Sequence, residues 1–267
     1  MKLETLVTTM HQTGFDLYTR MNLQTDAVIA NQTDQNSYAE ARMNGHSVKM
    51  VSTDTRGLSR NRNLALAHAS QCADCVLFTD DDLVFADGYE RMIAEEFEKH
   101  PEAEAIRFNI HELPSSRRLG MRRIERFERA TRRNMSASGV CGVVVKNEVL
   151  KRHNLRFHES FGAGTENYCG EDTLFLMQML DRRVRLYRSP VDIAGIHQAS
   201  SSWYRGANEA YFTIAGAVLA EAYPKTAYLI ALRSALRARR RKRGRLSFWR
   251  VLACYYRGIR TGGYSPR

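Results

Sequence analysis

From Ala222 to its C-terminus the chain has no Asp or Glu, against thirteen Lys and Arg. The whole 267-residue sequence carries a net charge of +11, so the surplus sits in this tail and the residues before it are slightly acidic. A uniformly basic protein is excluded. The pattern is a near-neutral body with a tail suited to polyanions, either nucleic acid or the anionic surface of a membrane. Long hydrophobic runs are missing as well. The most apolar stretch, 210–222, falls short of the ~20 residues that cross a bilayer and is stopped by Pro224. No leader-like segment precedes the first apolar run, and the five cysteines (72, 75, 141, 169 and 254) are an odd number. Together these predict a reduced, cytoplasmic setting rather than a disulfide framework. Cys72-x-x-Cys75 has metal-like spacing but no second Cys/His pair to complete it, and both are expected to be buried thiols.

Apolar residues make up 43% and charged residues 26%, enough for a substantial globular core. Strands are predicted at 3–9, 27–30, 48–51 and 75–79, separated by helices at 16–24 and from Ser59, which is placed to cap a helix with Ala and Leu on its apolar face. Each strand ends in polar residues: Thr8 and Thr9, Asn31–Asp34, Ser52–Asp54, Asp80–Asp82. Strands alternating with helices predict an α/β fold with a largely parallel sheet, in which ligands gather at the strand C-terminal ends. Further on come a helix at 88–99, a strand at 105–110, a buried strand at 138–145, a short helix at 146–152 and a helix after Glu171–Asp172. Strands at 184–187 and 191–198 follow, the second ending at His197. The stretch 112–135 is dense in Arg with only two Glu between Arg117 and Arg133, either a solvated helix or an arm that receives an anionic substrate.

Three adjacent carboxylates, Asp80, Asp81 and Asp82, repel one another when folding holds them together. A hard divalent cation with oxygen ligands relieves that repulsion, and a solvated acidic turn is the other outcome. Asp172 opens a helix, where a carboxylate serves as a cap or stays ionised as a base. His197 is a hydrogen-bonded loop residue or a metal ligand. In the tail, Phe248, Trp249, Tyr255 and Tyr256 lie among Arg250 and Arg257, which fits a helix in a membrane interface. Aromatics beside cations also stack on bases, but no nucleic-acid recognition motif is present. Dimerisation through 210–236 would bury the same apolar face.

The ordered set strand–Thr8-Thr9, strand–Asn31-Gln32-Thr33-Asp34, Gly57-Leu-Ser-x-x-Arg62-Asn63, Phe-Thr-Asp80-Asp81-Asp82 and Gly170-Glu171-Asp172-Thr173 resembles the glycosyltransferase family 2 proteins. The resemblance covers roughly residues 3–205. It implies a GT-A fold with a mostly parallel central sheet over 1–205, followed by a helical basic extension over 206–267. The implied reaction is metal-dependent transfer of one sugar from a nucleotide-diphosphate sugar to an acceptor hydroxyl, with inversion at the anomeric carbon. Thr8 and Thr9 would line the nucleotide pocket, with Arg62, Asp80 and Asp81 on the nucleotide side. Asn31 and Gln32 stand where the family carries acidic residues that contact the base, which leaves the base open, uracil, and so a UDP-sugar, being the commonest precedent. Asp82 would ligate Mn²⁺ or Mg²⁺, with Asp80 beside it and His197 completing the shell. Asp172 would be the base, with Glu171 and Trp203 on the acceptor side. The Gln-x-x-Arg-Trp motif of processive synthases is absent, so single-sugar addition is implied. The expected setting is assembly of a bacterial exopolysaccharide, lipopolysaccharide or other lipid-linked glycan, at the inner face of the cytoplasmic membrane. A nucleotidyltransferase would need a Gly-rich, Lys-containing loop after the first strand, which residues 8–14 do not supply. A non-catalytic relative is opposed by the intact Asp80, Asp82 and Asp172.

Overall fold

The computed structural model describes residues 1–113, 123–135, 138–197, 206–240 and 246–263. In chain order the elements begin with β1 (Leu3–Met10), α1 (Asp16–Arg20), β2 (Asp26–Gln32), β3 (Ser37–Met43), β4 (His46–Thr53), α2 (Leu58–His68) and β5 (Cys75–Asp80). Next are β6 (Leu83–Phe85), α3 (Tyr89–Lys99), β7 (Ala105–Glu112), β8 (Glu128–Arg129), α4 (Arg132–Met135), β9 (Val143–Lys146), α5 (Asn147–Arg152), α6 (Glu171–Asp181) and β10 (Leu186–Ile196). The chain closes with α7 (Glu209–Ala222), α8 (Ala227–Arg240) and α9 (Phe248–Thr261).

One sheet runs through the molecule in the order β3-β4-β2-β1-β5-β9-β7-β10-β6, with β8 on β10. Strands β4, β2, β1, β5, β7 and β10 share one direction, while β3, β9 and β6 run against it. The central strands are buried along nearly their whole length because helices cover both faces. Phe78, Val143 and Val145 pack with Leu174, Phe175 and Leu176 of α6 on one face. Leu77, Ile106 and Val144 pack with Leu17 of α1 and Ile93 of α3 on the other. From β1 the chain builds outward through β2 and β4, then returns to place β5 on the opposite side of β1. Such a reversal opens a crevice at the strand C-terminal ends. Thr8 pairs in register with Asp80 across that point, and Thr9 with Asn31.

The α/β expectation and its polar strand ends hold, with differences that have local causes. Residues 16–24 form only the short α1, and 138–145 is a turn that enters β9 at Val143, with Gly142 at φ +78°. The segments expected at 184–187 and 191–198 are one strand, β10. The sequence reading missed β3, an exposed edge strand whose Asn44–Gly45 turn has both φ values positive, as a tight hairpin requires. Gly57 rather than Ser59 precedes α2, at φ +121°, and Ser59 lies inside the helix. Cys72 is exposed, contrary to expectation, while Cys75 is buried.

The C-terminal helices are packed onto the body. Ile214, Ala217, Val218 and Ala222 of α7 belong to the same core as Phe78 and Phe175. Arg132 donates to the Ala222 carbonyl at 2.8 Å and pairs with Asp181. Helices α7 and α9 cross at two glycines: a Cβ on Gly258 would lie 1.8 Å from the Thr213 carbonyl oxygen, and one on Gly216 2.2 Å from that of Tyr255. Helix α8 buries Ala227, Ala231, Ala235 and Ala238 and turns Leu229, Arg233, Leu236 and Arg240 outward. Among the described residues, no helix is long and apolar enough to cross a membrane.

Candidate active site

Helix α2 departs from the usual amphipathic pattern, since the residues it buries at its start are polar: Ser59, Asn61, Arg62 and Asn63. Most of their polar atoms are hydrogen-bonded, as buried groups require, while Asn61 Oδ1 is buried without a hydrogen-bond partner. Ser59 donates to the Phe161 carbonyl at 2.6 Å. Asn61 donates to the Ala30 carbonyl at 2.8 Å and the Thr9 carbonyl at 3.3 Å. Asn63 donates to the Phe157 carbonyl at 3.0 Å and accepts from its N–H at 2.9 Å. The helix therefore staples the ends of β1 and β2 to the loop that precedes α6, and that joint aims Arg62.

Arg62 is 3% exposed and lies among three carboxylates. Its Nη1 donates to Asp172 Oδ1 at 2.5 Å, 110 residues along the chain, and lies 3.7 Å from Glu171 Oε1. Its Nη2 reaches both Asp80 oxygens at 3.1 Å. Its guanidinium also lies over the Phe157 ring, 5.2 Å from the centroid. Burial alone would favour the neutral form, but Asp172 and then Asp80 hold the guanidinium far above its ordinary range. The converse holds at Asp80, where burial raises the carboxyl but Arg62 and the Thr8 hydroxyl draw it below the usual range. Glu171, buried beside Asp172, is pushed up to about 7 by burial first and the Asp172 charge second.

The residues singled out from the sequence converge here, with more specific roles. Thr8 donates to Asp80 Oδ1 at 2.6 Å and Thr9 to Asp81 Oδ2 at 2.5 Å, so the two threonines fix the first two carboxylates of the triplet. Cys141, missed by the sequence reading, donates to Asp80 Oδ2 at 3.3 Å. Asn31 and Gln32 are buried and engaged internally. Asn31 ties Gln12 to Ser52, and Gln32 Oε1 accepts from the Gly57 N–H at 2.9 Å, which holds the start of α2. Asp172 is not a cap, since its Oδ1 faces Arg62 and its Oδ2 lies against Gly139, where a Cβ would come within 3.3 Å. Gly162 is restricted by both Glu171 and Ser59, each 3.2 Å from a Cβ at that position. Trp203 lies outside the described residues, as do 114–122 of the arginine-rich stretch.

Asp82 differs from its neighbours. Among the described residues no Lys or Arg pairs with it or with Asp81, but Asp81 accepts from Thr9, whereas burial, followed by the charges of Asp80 and Asp81, pushes Asp82 up to about 7. The His197 N–H donates to the Asp82 carbonyl at 2.8 Å, which brings that histidine beside it. No set of three His, Cys, Asp or Glu side chains closes into a metal shell among the described residues.

Residues 29–156 match the family model described as glycosyl transferase family 2. The fold is that of S. aureus TarS. The TarS 1-349 structure in complex with UDP-GlcNAc is 15% identical, with a TM-score of 0.62, and the match covers 83% of this chain and 66% of that one. The TarS 1-349 complex with UDP is 16% identical, with a TM-score of 0.58, over 86% of this chain and 70% of that one. A longer TarS structure is 14% identical, with a TM-score of 0.63, and the match covers 98% of this chain but 55% of that chain. This chain thus spans just under two thirds of the first and little more than half of the last. No curated protein matches the sequence. At such identities the likeness to TarS is one of fold. The architecture is GT-A, and the matched segment contains Asn31, Gln32, Arg62 and the Asp80–Asp82 triplet, while Thr8, Thr9, Glu171 and Asp172 lie outside it.

Proposed function

We propose, from the family 2 segment at 29–156 on a GT-A fold, that this chain is an inverting glycosyltransferase that moves one sugar from a nucleotide-diphosphate sugar to an acceptor hydroxyl. The observation that carries this reading is the Arg62 bridge. One buried cation joins Asp80, at the strand ends of the donor crevice, to Asp172 on α6. Two carboxylates distant in sequence are thereby held on either side of one space, which in-line displacement requires. Asp172 takes the proton of the acceptor hydroxyl at Oδ2, the oxygen that Arg62 does not hold, as the hydroxyl oxygen attacks the anomeric carbon. Arg62 keeps the other oxygen still, so base and donor crevice stay in register. Thr8, Thr9 and the Asp80–Asp81 pair shape the floor of the nucleotide pocket. UDP-GlcNAc bound to TarS supports a UDP-sugar as donor, and the internal hydrogen bonds of Asn31 and of Gln32 Oε1 speak against base contact through those atoms.

Asp82, with His197 beside it, would hold Mn²⁺ or Mg²⁺, while both Asp80 oxygens are already engaged by Thr8, Arg62 and Cys141. When bound there, a divalent ion would supply charge neutralisation for the diphosphate leaving group. The tail reads as a peripheral attachment to an anionic membrane, with a lipid-linked or other surface glycan as acceptor. The outward face of α8 offers Leu229, 68% exposed, and Leu236 between Arg233 and Arg240, and Trp249 of α9 is 75% exposed. A second copy of the chain seated on this face is the competing use.

The test is a screen of UDP-, GDP- and dTDP-sugars, with and without Mn²⁺, for thermal stabilisation and for transfer or slow hydrolysis. The expected result is Mn²⁺-dependent stabilisation by a UDP-sugar, and no response to any donor would end the reading. In the responding pair, Asp172→Asn should bind the donor within a few-fold of wild type while transfer falls by about 10²–10⁴. Full activity of that variant would remove Asp172 as base.

A further inference from the structure

Across Gly139 the charge of the buried layer reverses. On one side Arg62 serves three carboxylates, and on the other two arginines lie side by side with one paired carboxylate, on Arg188, among the described residues. Arg107 of β7 and Arg188 of β10 are direct partners in the parallel ladder. Arg107 faces the same layer as Ala105, two residues earlier, and therefore the layer that contains α6. Like charges side by side on adjacent strands repel, and partial burial deepens the cost. Glu128 accepts from Arg188 Nη1 at 2.5 Å and is the only carboxylate paired with either arginine among the described residues. Arg188 Nε is buried without a hydrogen-bond partner. Arg107 donates through Nε to the Gly139 carbonyl at 3.3 Å, and its two terminal nitrogens bond to nothing among the described residues. Burial first, then Arg188, hold its guanidinium below the usual range. Gly139 is also the residue whose Cβ position lies 3.3 Å from Asp172 Oδ2. An under-compensated pair of guanidinium groups thus lies one residue from the proposed base, on the side away from Asp80.

We propose that Arg107 and Arg188 form an anion subsite next to Asp172 that receives a phosphate carried by the acceptor. The subsite rests on the reading of Asp172 as the base and specifies its substrate class, a hydroxyl compound bearing a phosphate. Guanidinium forks on neighbouring strands, about 4.8 Å apart, suit the several oxygens of one tetrahedral phosphate. Binding there holds the phosphate on one side of Asp172 and leaves its hydroxyl facing Oδ2. It also relieves the repulsion between the two arginines.

The experiment titrates the full chain, saturated with UDP and Mn²⁺ so that the donor phosphate site is filled, with glycerol 3-phosphate and separately with glycerol, by calorimetry. Glycerol 3-phosphate is expected to bind and glycerol not. Arg107→Gln should weaken the phosphate compound at least tenfold with UDP affinity unchanged, and Arg107→Lys should fall between. Equal binding by wild type and Arg107→Gln would overturn the subsite, as would loss of glycerol 3-phosphate binding whenever UDP is bound, which would return these arginines to the donor. If Arg107→Gln does not fold, Arg188→Gln carries the same comparison. If UDP does not bind at all, the UDP-sugar donor falls while the donor screen still decides the glycosyltransferase reading, and the same titration without UDP decides whether Arg107 holds a phosphate.

Discussion

Arg62 shows how much of this site depends on a single side chain. A buried cation with three carboxylate neighbours contributes little net stability over an apolar replacement of the whole cluster, but removing it alone leaves those charges uncompensated. Arg62→Met should lower the unfolding free energy by about 3–5 kcal/mol in urea titrations, and a loss below about 1 kcal/mol would show that the carboxylates are neutralised in some other way. Glu171 gives a pH signature. Its carboxyl is raised from 4.5 to about 7 in the folded protein, chiefly by burial. Between those values the folded state keeps a proton that the unfolded state has released, so stability falls as pH rises through the window. Glu171→Gln removes that loss, and its Tm should gain on wild type as the buffer goes from about pH 5 to about pH 8. A pH-independent offset would mean that Glu171 is ionised throughout. The sequence pointed to both residues through their motifs. Cys141, Arg107 and Arg188 carried no motif, because their importance comes from strand register and from Gly139, which no spacing rule reveals.

At the scale of elements, buried polar side chains and glycine contacts mattered more than apolar periodicity. The start of α2 had looked like an apolar face capped by Ser59, yet it buries a polar edge that closes the site. Its hydrogen-bond partners come from strand ends and from a loop about a hundred residues away, so propensity could not disclose it. The β3–β4 hairpin was legible in Asn44–Gly45 and was overlooked because β3 is an exposed edge with no buried face and no strong apolar run to mark it. The crossing of α7 and α9 depends on backbone approach at Gly216 and Gly258. Gly258→Ala puts a methyl 1.8 Å from the Thr213 carbonyl oxygen, so the helices must separate. A loss of about 1–3 kcal/mol is expected in chemical denaturation, the usual cost of overpacking. An unchanged midpoint would mean that the crossing is loose.

At the scale of the molecule, the basic tail divides into two parts. Helix α7 is built into the sheet's core, so truncation near residue 205 would expose Phe175 and its neighbours rather than report on membrane affinity. Substitutions on the outward face are the cleaner probe. Leu229→Glu with Trp249→Glu should leave Tm within about 1 °C, as expected for exposed positions, and sharply reduce co-sedimentation with vesicles containing phosphatidylglycerol. Unchanged co-sedimentation together with a lost dimer in light scattering would assign the face to a second copy of the chain.

The sequence by itself was enough for the α/β class, the polar strand ends, the acidic triplet, the Arg62 and Asp172 motifs and the separation of charge into the tail. These are local patterns, set by alternation, turn chemistry and composition. Only the tertiary structure decided which carboxylates Arg62 joins, that Asp82 is half-buried beside Asp80 and Asp81 with no Lys or Arg paired to it among the described residues, that α7 belongs to the core, and that two arginines are ladder partners near Gly139. Each depends on packing between segments far apart in the chain, where register and close approach, rather than residue type, determine which charges meet.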